Sequence, residues 1–326
     1  MSLSVGIVGL PNVGKSTLFN ALRSAQGKLV GSGLATVGNY PFTTIEPNIG
    51  IVPVPDSRLA KLAEVVMSSG GLDHLPPEVP ATVQFVDIAG LIAGASKGEG
   101  LGNKFLSHIR ETDAICHVIR VFSDHDIVKQ GVVDPKSDFE TVKTELDLAD
   151  LEHPTAPLFS QKPILVVLNV DENDLKKANE LEEKYASEFK VIKDQIVTIC
   201  AKTEAELADL SPEDQKSYLA DLGVSKSGLE RLIQKAFKTL GLITFLTAGE
   251  KEVRAWTLRL GETSLSASGQ IHTDFMKNFI KADVVSFADF VRIGGWKKAR
   301  EEGMVRSEGR DYIMKDGDVV EFKIGS

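Results

Sequence analysis

The sequence predicts an α/β fold: a doubly wound, mostly parallel sheet followed by a small α+β module. Three observations carry this expectation. Short apolar runs rich in β-branched residues alternate with helical patterns over the first two thirds of the 326 residues. The first of those runs leads into a glycine-rich loop that opens a helix. Near Gly241 the alternation gives way to hairpin and turn signals.

The expected strands are 5–8, 82–86, 114–119, 163–168 and 196–200. Each is apolar almost throughout, the mark of a strand covered on both faces of a parallel sheet. Helical patterns at 16–23, 56–66, 103–110, 138–151 and 175–188 lie between them. Such a βα succession places helices on both sides of the sheet. Beyond Gly241, 242–246 and 253–260 read as a hairpin around Gly249-Glu250, with a short helical stretch from His272. Residues 312–322 read as two strands joined at Asp316-Gly317, since Asp-Gly favours tight hairpin turns. The expected domains are 1–240 and 241–326, and the glycine-rich stretch 27–38 reads as a loop.

Composition narrows the class. The chain is 42% hydrophobic and 25% charged, an ordinary globular balance. No apolar run reaches membrane-spanning length, and the N-terminus lacks the basic and small-residue signals of a secretory leader. Cys116 and Cys200 sit far apart in apolar runs; buried thiols fit them better than a disulfide or zinc site. A cytoplasmic chain without a membrane partner is expected. Residues 242–326 carry 13 basic and 13 acidic residues, so the net charge of −9 falls entirely on the preceding part. That argues against non-specific nucleic-acid binding there and against DNA specificity.

The first βα junction, Gly9-Leu10-Pro11-Asn12-Val13-Gly14-Lys15-Ser16, matches G-x-x-x-x-G-K-[ST] in its proper strand–loop–helix setting. The spacing has a chemical reason. Glycines let the backbone wrap phosphates with its N–H groups inward, and the helix N-terminus favours the anion. Lys15 is expected to reach the β- and γ-phosphates, and Ser16 to place its hydroxyl on Mg²⁺. Asn12, Val13, Gly14 and Thr17 complete the expected phosphate contacts. In Phe85-Val86-Asp87-Ile88-Ala89-Gly90, Asp87 at a strand end suits direct or water-mediated Mg²⁺ binding. Gly90 would present a backbone N–H near the γ-phosphate. Leu91 follows where switch GTPases often carry a water-orienting glutamine. Thr43 or Thr44 could complete the metal's coordination.

Base choice is read at Leu168-Asn169-Val170-Asp171-Glu172, which stands where guanine-specific enzymes carry Asn-Lys-x-Asp. With Glu172 in place of that aspartate, and Val170 in place of the lysine, preference for guanine should weaken. Asn169 can still bond N7 and the exocyclic amine of adenine. Cys200-Ala201-Lys202 forms the last expected base-side loop.

Together with Tyr40 to Pro47, the run from Gly94 to Asn103 and the C-terminal Phe245 to Thr257 and Ile271 to Asp274, these motifs resemble the Obg-like ATPases of the YchF subfamily. The C-terminal part resembles their TGS domain, a ubiquitin-like module. The resemblance covers nearly the whole chain. It implies ATP preferred over GTP, slow Mg²⁺-dependent hydrolysis, and association with ribosomes, ribosomal RNA or stress responses. It favours Thr44 over Thr43 as metal ligand and leaves a K⁺ requirement open.

Three departures stand out. The family's long helical hairpin is missing near 152–162. The loop 27–38 is longer than usual. Lys129 stands where the family has a histidine before Val133-Asp134-Pro135, and His125 is offset from it. His117 and His125 are read as structural or solvated. In the C-terminal part, Lys297, Lys298, Arg300, Arg306 and Arg310 cluster in sequence around Trp296, a surface that could meet RNA phosphates. Glu301, Glu302 and Glu308 offset it, and a solvated face is the favoured reading. The expected activity is an ATPase switch. A GTPase of the same fold, or a nucleotide-gated binding protein with little turnover, is the alternative.

Overall fold

In the computed structural model, residues 3–28, 48–88, 101–122 and 133–325 are described. They fall into two compact units: 53–82 together with 241–325, and all the remaining described residues.

The first unit is built on strands of the expected parallel kind. In chain order it contains β1 (Ser4–Val8), α1 (Lys15–Lys28) and β2 (Asn48–Pro53). After an excursion through α2 (Arg58–Gly70) and β3 (Glu78–Val79), which belong to the second unit, come β4 (Thr82–Asp87), α3 (Leu101–Glu111) and β5 (Ala114–Arg120). Then follow α4 (Pro135–Glu152), β6 (Ile164–Asn169), α5 (Ala178–Phe189), β7 (Ile196–Ile199), α6 (Ala201–Leu207), α7 (Pro212–Asp221) and α8 (Gly228–Thr239). The strands run in the order β2-β4-β1-β5-β6-β7. β1 pairs in parallel with β4 on one side and β5 on the other, and β5, β6 and β7 continue in parallel. The connection from β1 runs to β2 on one side of it, and that from β4 crosses to β5 on the other. In open α/β sheets the crevice beyond the carboxyl end of such a strand is where ligands sit.

Burial explains the apolar runs. Val5, Ile7 and Val8 on β1 are fully buried. Val8, Val86 and Ile115 pack with Phe105, Ile109 and Val142, while Ile119, Val166 and Leu168 pack with Tyr185 and Phe189. α4 starts where Asp134 accepts from the Ser137 amide at 3.0 Å with Pro135 following, a standard start signal. The connection from α4 to β6 is short. A buried Asp150 holds it by accepting from Phe159 and Ser160 amides at 2.8 and 2.9 Å. The expected helix at 175–188 divides into a 3-10 turn, Glu172–Lys177, and α5. Helices α6, α7 and α8 were not expected from the sequence.

The second unit continues with β8 (Leu242–Ala248), β9 (Val253–Arg259), α9 (Ser264–Ile271), α10 (Thr273–Lys277) and β10 (Phe279–Ser286). It closes with α11 (Phe287–Ile293), α12 (Trp296–Glu301), β11 (Arg306–Glu308) and β12 (Asp318–Ile324). The sheet order is β11-β10-β12-β8-β9-β3. The β8–β9 hairpin is the expected one. The expected hairpin across Asp316-Gly317 does not form. β12 instead pairs antiparallel with β10 and in parallel with β8. Acidic side chains dictate this. Asp316 accepts from the Thr244 amide at 2.9 Å, and Asp318 accepts from the Tyr312 hydroxyl and the Lys315 amide, each at 2.9 Å. Residues 312–317 are thereby fastened to their neighbours instead of forming a second strand.

A division at residue 240 therefore does not separate the units. Residues 53–82 join the second because β3 pairs with β9 in parallel and α2 packs on β8, β9 and α11. Arg58 at the head of α2 fixes this attachment. It pairs with Asp56 at 2.7 Å and Asp316 at 2.9 Å, and donates to the Thr244 hydroxyl at 2.5 Å. Among the described residues, no helix is long and apolar enough to cross a membrane.

Candidate nucleotide-binding site

The loop between β1 and α1 has the backbone its glycines were expected to permit. Gly9 lies at φ 152°, and a Cβ there would stand 2.4 Å from the Val118 carbonyl oxygen. Gly14 lies at φ 96°, and a Cβ there would meet Asn169 Nδ2 at 2.3 Å. Asn12 also takes positive φ, 62°, which short polar residues tolerate best after glycine. Val13 is buried and anchors the loop, while Asn12, Ser16 and Thr17 are exposed toward any ligand.

Lys15 is 7% exposed, and its Nζ donates to the Leu10 carbonyl at 2.7 Å. The ammonium is thus held over its own loop. Burial pulls its pKa down to about 8, with Asp87 opposing. Asp87 ends β4, half-buried. Burial pushes its carboxyl above the usual range, with Lys15 opposing. These residues fit Mg²⁺. A half-buried carboxylate and an exposed hydroxyl at the helix head are the donors such an ion takes from protein, with waters and phosphates supplying the rest. No cluster of three or more His, Cys, Asp or Glu able to hold a metal exists among the described residues.

Asn169, at the end of β6, ties both halves of the site together. Its Nδ2 donates to the Val13 carbonyl at 2.9 Å and its Oδ1 accepts from the Ala201 amide at 3.0 Å. One Nδ2 hydrogen and one Oδ1 lone pair remain for a base. The Val170 side chain lies in the core with Leu175 and Cys200, so what it offers a ligand is backbone. The same holds for Cys200 and Ala201, both buried. Glu172 is half-buried, and its Oε1 accepts from the Tyr218 hydroxyl at 3.2 Å.

The phosphate loop and the base-side loops line one open cleft of about 860 Å³, bounded by Asn12, Gly14, Thr17, Asn169, Val170, Glu172, Cys200 and Ala201, with Phe122 and Lys202. Its size suits one nucleotide-sized ligand. Phe122 and Tyr218 were not singled out from the sequence. The start of α7 was legible in Ser211-Pro212, where Ser211 caps the Asp214 amide; the reach of Tyr218 to Glu172 had no sequence signal. Thr44, Gly90, His125, Lys129 and 94–100 lie outside the described residues.

Other expected residues are structural. Cys116 and Cys200 are free and buried, and burial pushes the Cys116 thiol up to about 12. His117 is buried against Phe139 at 5.3 Å, and burial pulls its pKa down to about 3. In the second unit the arginines near Trp296 find internal partners. Arg300 pairs with Glu321, Arg306 with Glu308 at 3.4 Å and Asp318 at 3.5 Å, and Arg310 donates to the Phe279 carbonyl at 3.3 Å.

With this geometry in place, comparison with known proteins gives consistent matches. A family profile described as "50S ribosome-binding GTPase" matches residues 4–170. A second, YchF-GTPase_C, described as "Protein of unknown function (DUF933)", matches 242–325. The chain is 42% identical to the "Ribosome-binding ATPase YchF" of Bacillus subtilis over 378 positions, covering 99% of each. It is 41% identical to the protein of that name from Escherichia coli O157:H7, again covering 99% of each. That alignment length exceeds the chain's 326 residues, so these relatives carry stretches that this chain lacks. Among solved structures, "Structure of the Schizosaccharomyces pombe YchF GTPase" superposes with a TM-score of 0.77 at 30% identity, covering 99% of this chain and 98% of the other.

Proposed function

The chain belongs to the YchF family of P-loop nucleoside triphosphatases, and on that premise we propose that it is a slow, Mg²⁺-dependent ATPase switch of the cytoplasm. The observation that carries the proposal is the cleft in which the phosphate-loop residues Asn12, Gly14 and Thr17 meet the base-side pair Asn169 and Glu172. The phosphates would lie against the loop amides of 12–17 with Lys15 as their counter-charge, and Gly90 is the residue the sequence offers for a further N–H. Ser16 and Asp87, with Thr44 as the resemblance implies, would hold Mg²⁺, which would neutralise charge on the phosphates. Catalysis is then mostly electrostatic stabilisation of the transferring phosphoryl. With Leu91 in place of the glutamine, little positions the attacking water, so turnover without a partner is slow.

ATP is the preferred substrate because Glu172 replaces the aspartate that reads guanine. A GTPase is the second reading, favoured by the wording of the matched profile and of the solved relative. The partner proposed is the ribosome, which the names of the bacterial relatives give for those proteins. Binding and hydrolysis of ATP would alternate two states of the chain with different affinity for it. Single-turnover phosphate release tests the enzyme. The wild type should release phosphate in the presence of Mg²⁺ and Lys15→Ala should not. Equal release by both would remove the P-loop from the mechanism.

A further inference from the structure

We propose that Tyr218 is a positioning residue for base selection, its hydroxyl engaging one oxygen of Glu172 and so weakening the two-point contact that guanine makes. This rests on the reading of Glu172 as the base-facing carboxylate. The Tyr218 hydroxyl lies 3.2 Å from Glu172 Oε1. Burial and the Glu172 carboxylate hold the phenol above its ordinary range, so at neutral pH it carries its proton and donates.

The helix that delivers the hydroxyl is fixed. Ser211 caps α7, and Gln215 Nε2 donates to the Leu207 carbonyl at 2.8 Å and the Leu210 carbonyl at 3.3 Å, fastening α7 to the end of α6. Just beyond α7, Leu222 and Val224 pack on the core that holds Val170, Leu175 and Cys200 beneath the base-side loops. Tyr218 therefore meets Glu172 from a braced helix, not from a wandering loop.

The chemistry gives the direction of selection. Guanine presents two adjacent donors, N1–H and the N2 amine, and a free carboxylate accepts both at once. Adenine presents one amine donor beside an unprotonated N1, and needs only one oxygen. An oxygen that already accepts from Tyr218 is a weaker acceptor and is held in that orientation, so guanine, which needs both oxygens, loses more than adenine, which needs only the free one. Selection against the wrong base by weakening an acceptor is negative discrimination. The hydroxyl acts on the substrate only through Glu172.

The experiment is calorimetric titration of Mg²⁺ with non-hydrolysable ATP and GTP analogues, on the wild type, Tyr218→Phe, Glu172→Gln and the double variant. The phenylalanine ring preserves the packing of α7. Tyr218→Phe should shift the ATP-to-GTP affinity ratio toward GTP by about tenfold, the worth of one hydrogen bond to a charged group. In the Glu172→Gln background the same change should move the ratio less than about twofold, because the two side chains act as one unit. An unchanged ratio in Tyr218→Phe overturns the proposal, as does an equal shift in both backgrounds. The quantity read is the change in ratio, not its starting value. A wild type that prefers GTP would contradict the ATPase reading while leaving this test decisive.

Discussion

Asn169 Nδ2 stands where a side chain on Gly14 would begin. A Cβ there would come within 2.3 Å of that nitrogen, on a backbone at φ 96°. The phosphate loop and the base-side strand therefore meet with no room between them. Gly14→Ala should abolish measurable nucleotide binding. Asn169→Ala leaves the Val13 carbonyl and the Ala201 amide without their partner. It should destabilise the first unit by about 2 kcal/mol and weaken ATP and GTP alike. Thermal melting and paired titrations check both. A change at Asn169 that altered only the ratio of the two nucleotides would contradict this scaffold role.

Lys15 links the site to pH. Its pKa falls from 10.5 to about 8 because burial penalises the charged form. Below pH 8 both folded and unfolded chains carry the proton, and the penalty is fully present. Between about 8 and 10.5 the unfolded chain binds more protons, so stability rises with pH across that window. Ligand-free Lys15→Met should thus be more stable than wild type at pH 7, by about 2–3 kcal/mol, with the difference shrinking from pH 8 to 10.5. ATP needs the ammonium. Its affinity should fall as pH passes about 8, with proton uptake on binding visible as a buffer-dependent heat.

Asp87 is the test of metal dependence. Its carboxylate is half-buried with Lys15 as its opposing charge. Asp87→Asn should raise the Mg²⁺ concentration for half-maximal hydrolysis about tenfold to a hundredfold, as loss of an orienting or direct oxygen does at metal sites. Chelating Mg²⁺ should abolish hydrolysis in the wild type. Hydrolysis by Asp87→Asn at wild-type Mg²⁺ requirement would remove Asp87 from the metal site.

Arg58 tests the second unit. It is the shared partner of Asp56, Asp316 and Thr244, so Arg58→Met leaves the largely buried Asp56 carboxylate without its cation and takes one donor from Asp316. We expect a loss of about 2 kcal/mol confined to that unit. Hydrogen exchange at the Thr244 amide should accelerate, while nucleotide affinity stays unchanged because the cleft lies wholly in the first unit.

Legibility in the sequence followed the range of the interactions. The phosphate loop, Asp87 and the Asn169-to-Glu172 turn are local patterns at strand ends, and strands such as β5 and β6 announce themselves by continuous burial. The attachment of 53–82 could not be read. β3 is two residues long, and Arg58 finds Asp316 across 258 positions of sequence. β12 was found, but its partner was not, since Asp316 accepts from the Thr244 amide 72 positions away and Asp318 from the Tyr312 hydroxyl instead of closing a hairpin. Tyr218 falls in the same class, reaching Glu172 across 46 positions.

The most direct test of the central claim is competition binding of ATP and GTP to the wild type with Mg²⁺, followed by single-turnover hydrolysis of the tighter ligand. The account predicts that ATP binds more tightly and is hydrolysed slowly, and that Glu172→Asp shifts the preference toward GTP. Tighter binding and hydrolysis of GTP by the wild type would contradict it.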